Sequence, residues 1–213
     1  MHGILEISIR GEKMELHPLG GLYLKNLNAL LIADLHIGKI EHFRKEGLAV
    51  PKVAQQENFK NLNTLVETFA PKTIYLLGDL FHSSKNQEWE SFSNWLDQQS
   101  ALVELIVGNH DTHDFKSLPH DKIEITHEKE IGEFSLSHEP KEDSKKFNIC
   151  GHVHPAVIIR GKGNFVAKST CFAQFDNQLI LPAFGVFTGT HKLDIRSCNH
   201  IYLNTPNEVI KFK

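Results

Sequence analysis

Five clusters of oxygen and nitrogen donors punctuate the chain: Asp34 with His36; Asp79; Asn109 with His110; His138; and His152 with His154. Each follows a short apolar run. Carboxylates, imidazoles and one amide oxygen, with no thiolate, form a donor set for hard or borderline divalent ions such as manganese, iron or zinc. A carboxylate shared by two such ions holds them about 3.5–4 Å apart, the separation used for phosphoester hydrolysis. Asp79 is the candidate for that bridge, because the run Ile74-Tyr75-Leu76-Leu77 delivers it through Gly78 to the carboxyl end of a strand. A water activated between two cations is then the nucleophile. Taken singly, the clusters have plainer readings. Asp79 is an ordinary turn residue, and a lone His138 is a structural histidine. His152 and His154 are a stronger pair, since alternate residues of a strand share a face. Their recurrence at successive strand ends is what points to one shared site.

The elements that must position these donors follow from the apolar pattern. Residues 6–10 and 13–17 alternate around Gly11-Glu12 and read as a hairpin, with a short strand at 22–24. Residues 29–33 form a continuous apolar run, typical of a strand covered on both faces, and stop at Asp34. The segment 40–48 reads as helix or loop, and Pro51 suits the first position of the next helix. Within that helix Leu62, Leu65, Val66 and Phe69 recur at helical spacing, and Pro71 ends it. A strand at 73–77, a helix around Trp89, Phe92 and Leu96, and a strand at 102–107 complete a strand–helix alternation.

The second half is rich in strands. Residues 122–126 and 133–137 read as a hairpin pair ending at His138, and 146–150 as a strand entering Gly151-His152. Further strands are expected at 156–160, 164–172 and 178–181, with a closing hairpin from 201–203 and 208–212. The predicted architecture is a single α/β domain over residues 1–213, with two packed sheets and helices outside.

Composition agrees with a folded, water-soluble protein: 40% hydrophobic and 23% charged residues over 213 positions. A net charge of -3 gives no bulk attraction to nucleic acid or anionic membrane, although bound cations would dominate the local field. Histidine is over-represented, with 14 copies. Cys150, Cys171 and Cys198 are odd in number and form no C-x-x-C pair, which argues against a disulfide framework and a thiolate metal site. The first residues carry Glu6, Arg10, Glu12 and Lys13 and so lack a secretory apolar run. No segment reaches bilayer-spanning length, and a reducing cytoplasm is the expected location. A hydrolase built on Ser or Cys is not supported, since no Gly-x-Ser-x-Gly elbow occurs.

Asp34-x-His36, Gly78-Asp79, Gly108-Asn109-His110-Asp111, His138 and Gly151-His152-x-His154 together resemble the signature of the calcineurin-like metallophosphoesterases, over roughly residues 30–155. That resemblance implies an αββα sandwich of two mixed sheets flanked by helices. It also implies two divalent ions, one held by Asp34, His36, Asp79 and His154, the other by Asp79, Asn109, His138 and His152. His110 would stabilise phosphoryl oxygens or protonate the leaving oxygen, and Asp111 would orient His110. Three further stretches are similar to the bacterial ligase-associated DNA damage response endonucleases. They are Phe43-Arg44-Lys45-x-Gly47, Gly78-Asp79-Leu80-Phe81-His82, and Leu181-Pro182-Ala183-Phe184-Gly185 with Phe187-Thr188-Gly189. That branch implies manganese as the metal, a phosphodiester substrate such as DNA, and DNA ligase and helicase-like repair partners, with no membrane association.

Some neighbouring residues read in two ways. Arg44 suits a substrate phosphate as well as a surface acid, and His82 is placed to line the site. His42, His113 and His191 have no ligand spacing, and Phe184 and Phe187 read as core. The same ligands would serve a small-molecule phosphatase or a nucleotide or cyclic-nucleotide phosphodiesterase. A protein-interaction scaffold on this fold would not need all seven.

Overall fold

A computed structural model describes residues 3–39, 47, 53–81, 87–111 and 122–213, with the backbone alone at 53–55 and 87–88. Strands β1 (Leu5–Ile9) and β2 (Glu12–Leu16) make the expected hairpin. Its turn residues Arg10 and Gly11 have φ of 52° and 81°, as a two-residue type I′ turn requires. Strands β3 (Leu22–Leu24) and β4 (Ala29–Ile32) extend the sheet antiparallel. Strands β5 (Thr73–Leu77), β6 (Leu102–Ile106) and β7 (Ile123–Thr126) then join in parallel. Parallel pairing needs crossovers: helix α1 (Val53–Phe69) joins β4 to β5, and helix α2 (Gln87–Asp97) joins β5 to β6.

The crossovers explain where the donors emerge. Strands β4, β5 and β6 run side by side in one direction, so Asp34, Asp79 and Asn109 follow them at one edge of the sheet. Helix α1 buries Leu62 and Leu65 against Leu30, Ile32, Ile74 and Leu76 on the outer face of this sheet. Ala70 closes the helix with φ of 43° ahead of Pro71. Helix α2 reaches the loop after Asp79 directly, since Trp89 stacks on Phe81 with ring centroids 3.7 Å apart. Trp95 Nε1 donates to Asn63 Oδ1 (2.9 Å), tying the two helices together.

The second sheet contains β8 (Lys129–Ile131), β9 (Phe134–Leu136), β10 (Phe147–Cys150), β11 (Pro155–Arg160), β12 (Val166–Gln174), β13 (Gln178–Ile180), β14 (His191–Lys192), β15 (His200–Asn204) and β16 (Val209–Lys211). Leu31, Leu77 and Ile106 of the first sheet share an apolar layer with Leu136, Ile149 and Phe172 of the second. The other face of the second sheet is covered by 193–198, through Leu193, Ile195 and Cys198. Both sheets are mixed, and the sandwich matches the expectation.

One pairing differs from the sequence reading. The segment 122–126 does not form a hairpin with 133–137: β7 joins the first sheet beside β6, and the partner of β9 is the unforeseen β8. An apolar run does not state which sheet it enters, and here the chain crosses between sheets after Thr126.

The three cysteines are buried and free. Burial pushes the thiols up, that of Cys171 to about 12, and raises Cys150 and Cys198 as well. Thiolate, the reactive form, is therefore scarce at neutral pH. We expect Ellman's reagent to label none of the three thiols in the native protein within minutes and all three after denaturation. Rapid native labelling would contradict this packing.

Candidate metal centre

Backbone conformation singles out the donors before their side chains are considered. Asp34, His36, Asp79, His152 and His154 all have positive φ, between 47° and 67°. Left-handed backbone costs a residue with a side chain about 1 kcal/mol or more, and such strain concentrates at functional sites. The chain leaves its strands sharply at each donor and turns the side chain inward. For this reason His152 and His154 do not share a strand face, contrary to the sequence reading. Strand β10 ends at Cys150, and the two left-handed residues send the imidazoles to different neighbours.

One neighbourhood contains Asp34, His36 and His154. His154 Nε2 lies 3.2 Å from Asp34 Oδ1 and 3.4 Å from His36 Nε2. The other contains Asn109, His138 and His152. Asn109 Oδ1 lies 2.9 Å from His138 Nε2 and 3.1 Å from His152 Nδ1, and those two nitrogens are 3.1 Å apart. Asp79 stands between them: its Oδ2 is 3.9 Å from His36 Nε2, and its Oδ1 is 3.4 Å from His138 Nε2. Donor atoms of Asp34, His36 and His154 all lie within 4.8 Å of one another, as do those of Asp34, Asp79 and His138.

The chemistry of this donor set fits divalent cations. His138 Nδ1 donates to the Leu77 carbonyl oxygen at 2.9 Å, which leaves the lone pair on Nε2. Nε2 faces the oxygens of Asn109 and Asp79. Asp34 and Asp79 are 0% and 2% exposed, and buried carboxylates side by side need positive charge. A divalent cation held by these donors would supply that charge.

The surrounding backbone is built around these groups. Gly78 has φ of 77°, and a Cβ there would fall 2.2 Å from His138 Nδ1. The His152 N–H donates to Asp34 Oδ2 (3.0 Å) and the His110 N–H to Asp79 Oδ1 (3.0 Å). The loop carrying His138 rests on buried Asn148, which donates to Ser135 O and Ser137 Oγ and accepts from the Lys141 N–H. Late in the chain, Ala183 bridges Ala33, the Phe184 N–H donates to Ala33 O, and the Gly185 N–H donates to Asp34 O. The segment 181–185 therefore braces the first donor loop.

Asn109, His110 and His152 are exposed at the rim. The His110 ring meets that of His36 edge-on, 6.1 Å between centroids. Asp111 is buried, and its carboxylate accepts from the Gly108 N–H (2.9 Å) and the Phe81 N–H (3.3 Å). Burial pushes its pKa up to about 6 against those hydrogen bonds.

Lys39 was not singled out from the sequence, yet its half-buried ammonium interacts with both Asp79 and Asp34. Burial lowers its pKa and the two carboxylates oppose that shift. The signal available was its position three residues after His36. Arg44, His82, His42 and His113 lie outside the described residues. Phe184 is core at 5% exposure, but Phe187 is 54% exposed with φ of 63°, so its core reading is overturned. The turn made by the Thr188 N–H with Gly185 O, behind Val186 anchored on Asn58 Oδ1, sends Phe187 outward.

A model of the calcineurin-like phosphoesterase family matches residues 27–179 of this chain. The solved Pseudomonas putida nuclease MPE superposes with a TM-score of 0.81 at 26% identity, over 99% of this chain and 100% of that one. A protein from Aquifex aeolicus, AQ665, gives a TM-score of 0.44 at 20% identity, over 64% of this chain and 82% of that one. No curated protein is similar enough in sequence to count as a relative.

Proposed function

Because the chain belongs to the calcineurin-like phosphoesterase family, we propose that it hydrolyses phosphodiesters, DNA among them, with two divalent cations held on either side of Asp79. It is a metal-dependent phosphoesterase. The observation that carries the finer reading is Asp79, whose two oxygens face two separate donor groups. Asp34, His36, Asp79 and His154 would hold one cation, and Asp79, Asn109, His138 and His152 the other. Bound there, the pair would activate a water and neutralise phosphoryl oxygens; manganese is the ion proposed, ahead of iron or zinc. The similarity to a solved nuclease supports a polymer substrate. A role in DNA repair beside a ligase and a helicase-like protein belongs to the same proposal.

The chain's own groups then have distinct tasks. His110, at the rim, donates to a phosphoryl oxygen or protonates the departing alkoxide. Asp111 positions His110 through backbone, by closing the Gly108 turn and pinning it to Phe81. Lys39 adds fixed positive charge beside the carboxylates, where negative charge grows in the transition state. Arg44 and His82 are assigned to the substrate side. No helix among the described residues is long and apolar enough to cross a membrane.

The test compares bis-p-nitrophenyl phosphate with p-nitrophenyl phosphate, in manganese and in EDTA. We expect diester cleavage in manganese and background rates in EDTA. Cleavage of the monoester alone would replace the diesterase reading with a phosphatase. Failure on both, with no metal bound, would leave a scaffold.

A further inference from the structure

Charge is unevenly distributed along this acidic chain. From Ser144 to Leu193 the sole carboxylate is Asp176, whereas Lys145, Lys146, Arg160, Lys162, Lys168 and Lys192 are basic. Four of these six fall on the β11–β12 hairpin and its neighbour β14. The register shows where that hairpin points. Cys150 at the end of β10 pairs with Ile180, which pairs with Ala173 of β12. Residues 166–170 and their partners 156–160 therefore continue past the end of β10, on the side where His152 and His154 emerge. The arm projects roughly 15 Å beyond the sheet at ordinary strand rise.

Alternation fixes its faces. Phe172 belongs to the layer between the sheets, so Thr170, Lys168 and Val166 share its side. Ile158 pairs with Lys168, Arg160 with Val166, and Lys192 with Ala156, which places Lys192, Lys168 and Arg160 on that same side. They form a ladder beginning beside His154 and stepping outward by two residues at a time, about 6.5–7 Å per step. This is of the order of the spacing between phosphates in an extended polynucleotide strand. All three are exposed. Among the described residues none makes an ion pair or a side-chain hydrogen bond. The nearby acid, Asp194, is turned to the Arg196 N–H (3.0 Å).

One exposed aromatic ring lies near the start of this ladder. Phe187 is 54% exposed, whereas Phe165, 59% exposed at the hairpin tip, falls on the opposite side by alternation from Val166. Phe187 sits on the segment that runs from Gly185, bonded to Asp34 O, to His191, bonded to His154 O. Exposed rings offer stacking surface only to bases that are not paired.

We propose that the β11–β12 arm holds single-stranded nucleic acid, its phosphates on Lys192, Lys168 and Arg160, and feeds one diester to the metal centre. This rests on the phosphodiesterase reading above. The test is the triple variant R160A/K168A/K192A, assayed in manganese on a single-stranded oligonucleotide and on bis-p-nitrophenyl phosphate. The small diester is too short to reach the arm. We expect its kcat to stay within about twofold while KM for the oligonucleotide rises at least about tenfold. The log–log salt dependence of oligonucleotide binding should flatten by about 0.7 per removed cation. Unchanged KM and slope, or equally tight binding of duplex, would overturn the arm. An acidic protein as its true occupant would give that unchanged result.

Fluorescence anisotropy on Asp79→Asn protein, with and without the three substitutions, separates the two claims. Arm-dependent binding of the oligonucleotide by protein without activity upholds the arm even if the nuclease reading fails. The charge-retaining variant R160K/K168R/K192R should bind like the parent. Failure of that variant, with native circular dichroism, would show that shape rather than charge is read and would overturn the proposal.

Discussion

Asp79→Asn abolishes diesterase activity while leaving the fold in place: a fall on the order of 10³-fold in kcat/KM is expected. The basis is that, on the proposed two-cation reading, several kcal/mol of transition-state stabilisation depend on the cations, and the two oxygens of Asp79 face one donor group each. The substitution keeps shape and a carbonyl oxygen, but it removes negative charge that would balance the proposed pair of divalent ions. Stability moves in the opposite sense. Without metal, Asp34 and Asp79 repel one another in a buried setting, so metal-free Asp79→Asn should melt no lower than metal-free wild type. Manganese should raise the melting temperature of the wild type, through binding to the folded state, and raise that of the variant far less. Calorimetry with and without manganese checks both signs. A variant with near wild-type activity, or one that is unfolded without metal while wild type is folded, would remove Asp79 from the bridging position.

Gly78→Ala is expected to be almost as damaging, although it touches no charge. The added Cβ would fall 2.2 Å from His138 Nδ1 and 2.5 Å from its Cγ, on backbone with φ of 77°. Left-handed strain contributes about 1–2 kcal/mol, and forcing an atom into filled space about 1–3 more. The imidazole must swing away, which breaks its hydrogen bond to Leu77 O and withdraws Nε2 from Asn109. We expect a loss of about 2–5 kcal/mol in urea unfolding and, at limiting metal, about one manganese per chain instead of two. Two tightly bound ions with an unchanged unfolding midpoint would mean that the glycine is not keyed to His138.

These two sites illustrate what could be read from the residues and what could not. The donors were legible because each stands just after an apolar run, and parallel strands bring their ends to one edge. Their grouping was not legible from periodicity. Alternation suggested that His152 and His154 act as a pair, whereas left-handed backbone at both sends them apart. Strand existence was read correctly around β9, but its partner was misplaced, because hydrophobicity reports burial and not sheet membership. Phe187 looked like core for its apolarity. Its exposure follows from a turn set by Gly185, Thr188 and Asn58, which no local pattern around Phe187 displays. Lys39 was passed over because a lysine in a loop has a solvated reading until buried carboxylates are found beside it.

The brace formed by 181–185 has a consequence for the order in which the protein matures. Translation delivers the seventh donor, His154, well before it delivers Phe184 and Gly185, whose N–H groups hold Ala33 and Asp34. A nascent chain arrested near residue 179, where the family match ends, would carry every ligand and still lack the strap that sets the first of them. The backbone of the first donor loop is therefore fixed only once residues 184 and 185 have joined the fold, with β14, β15 and β16 of the second sheet still to follow.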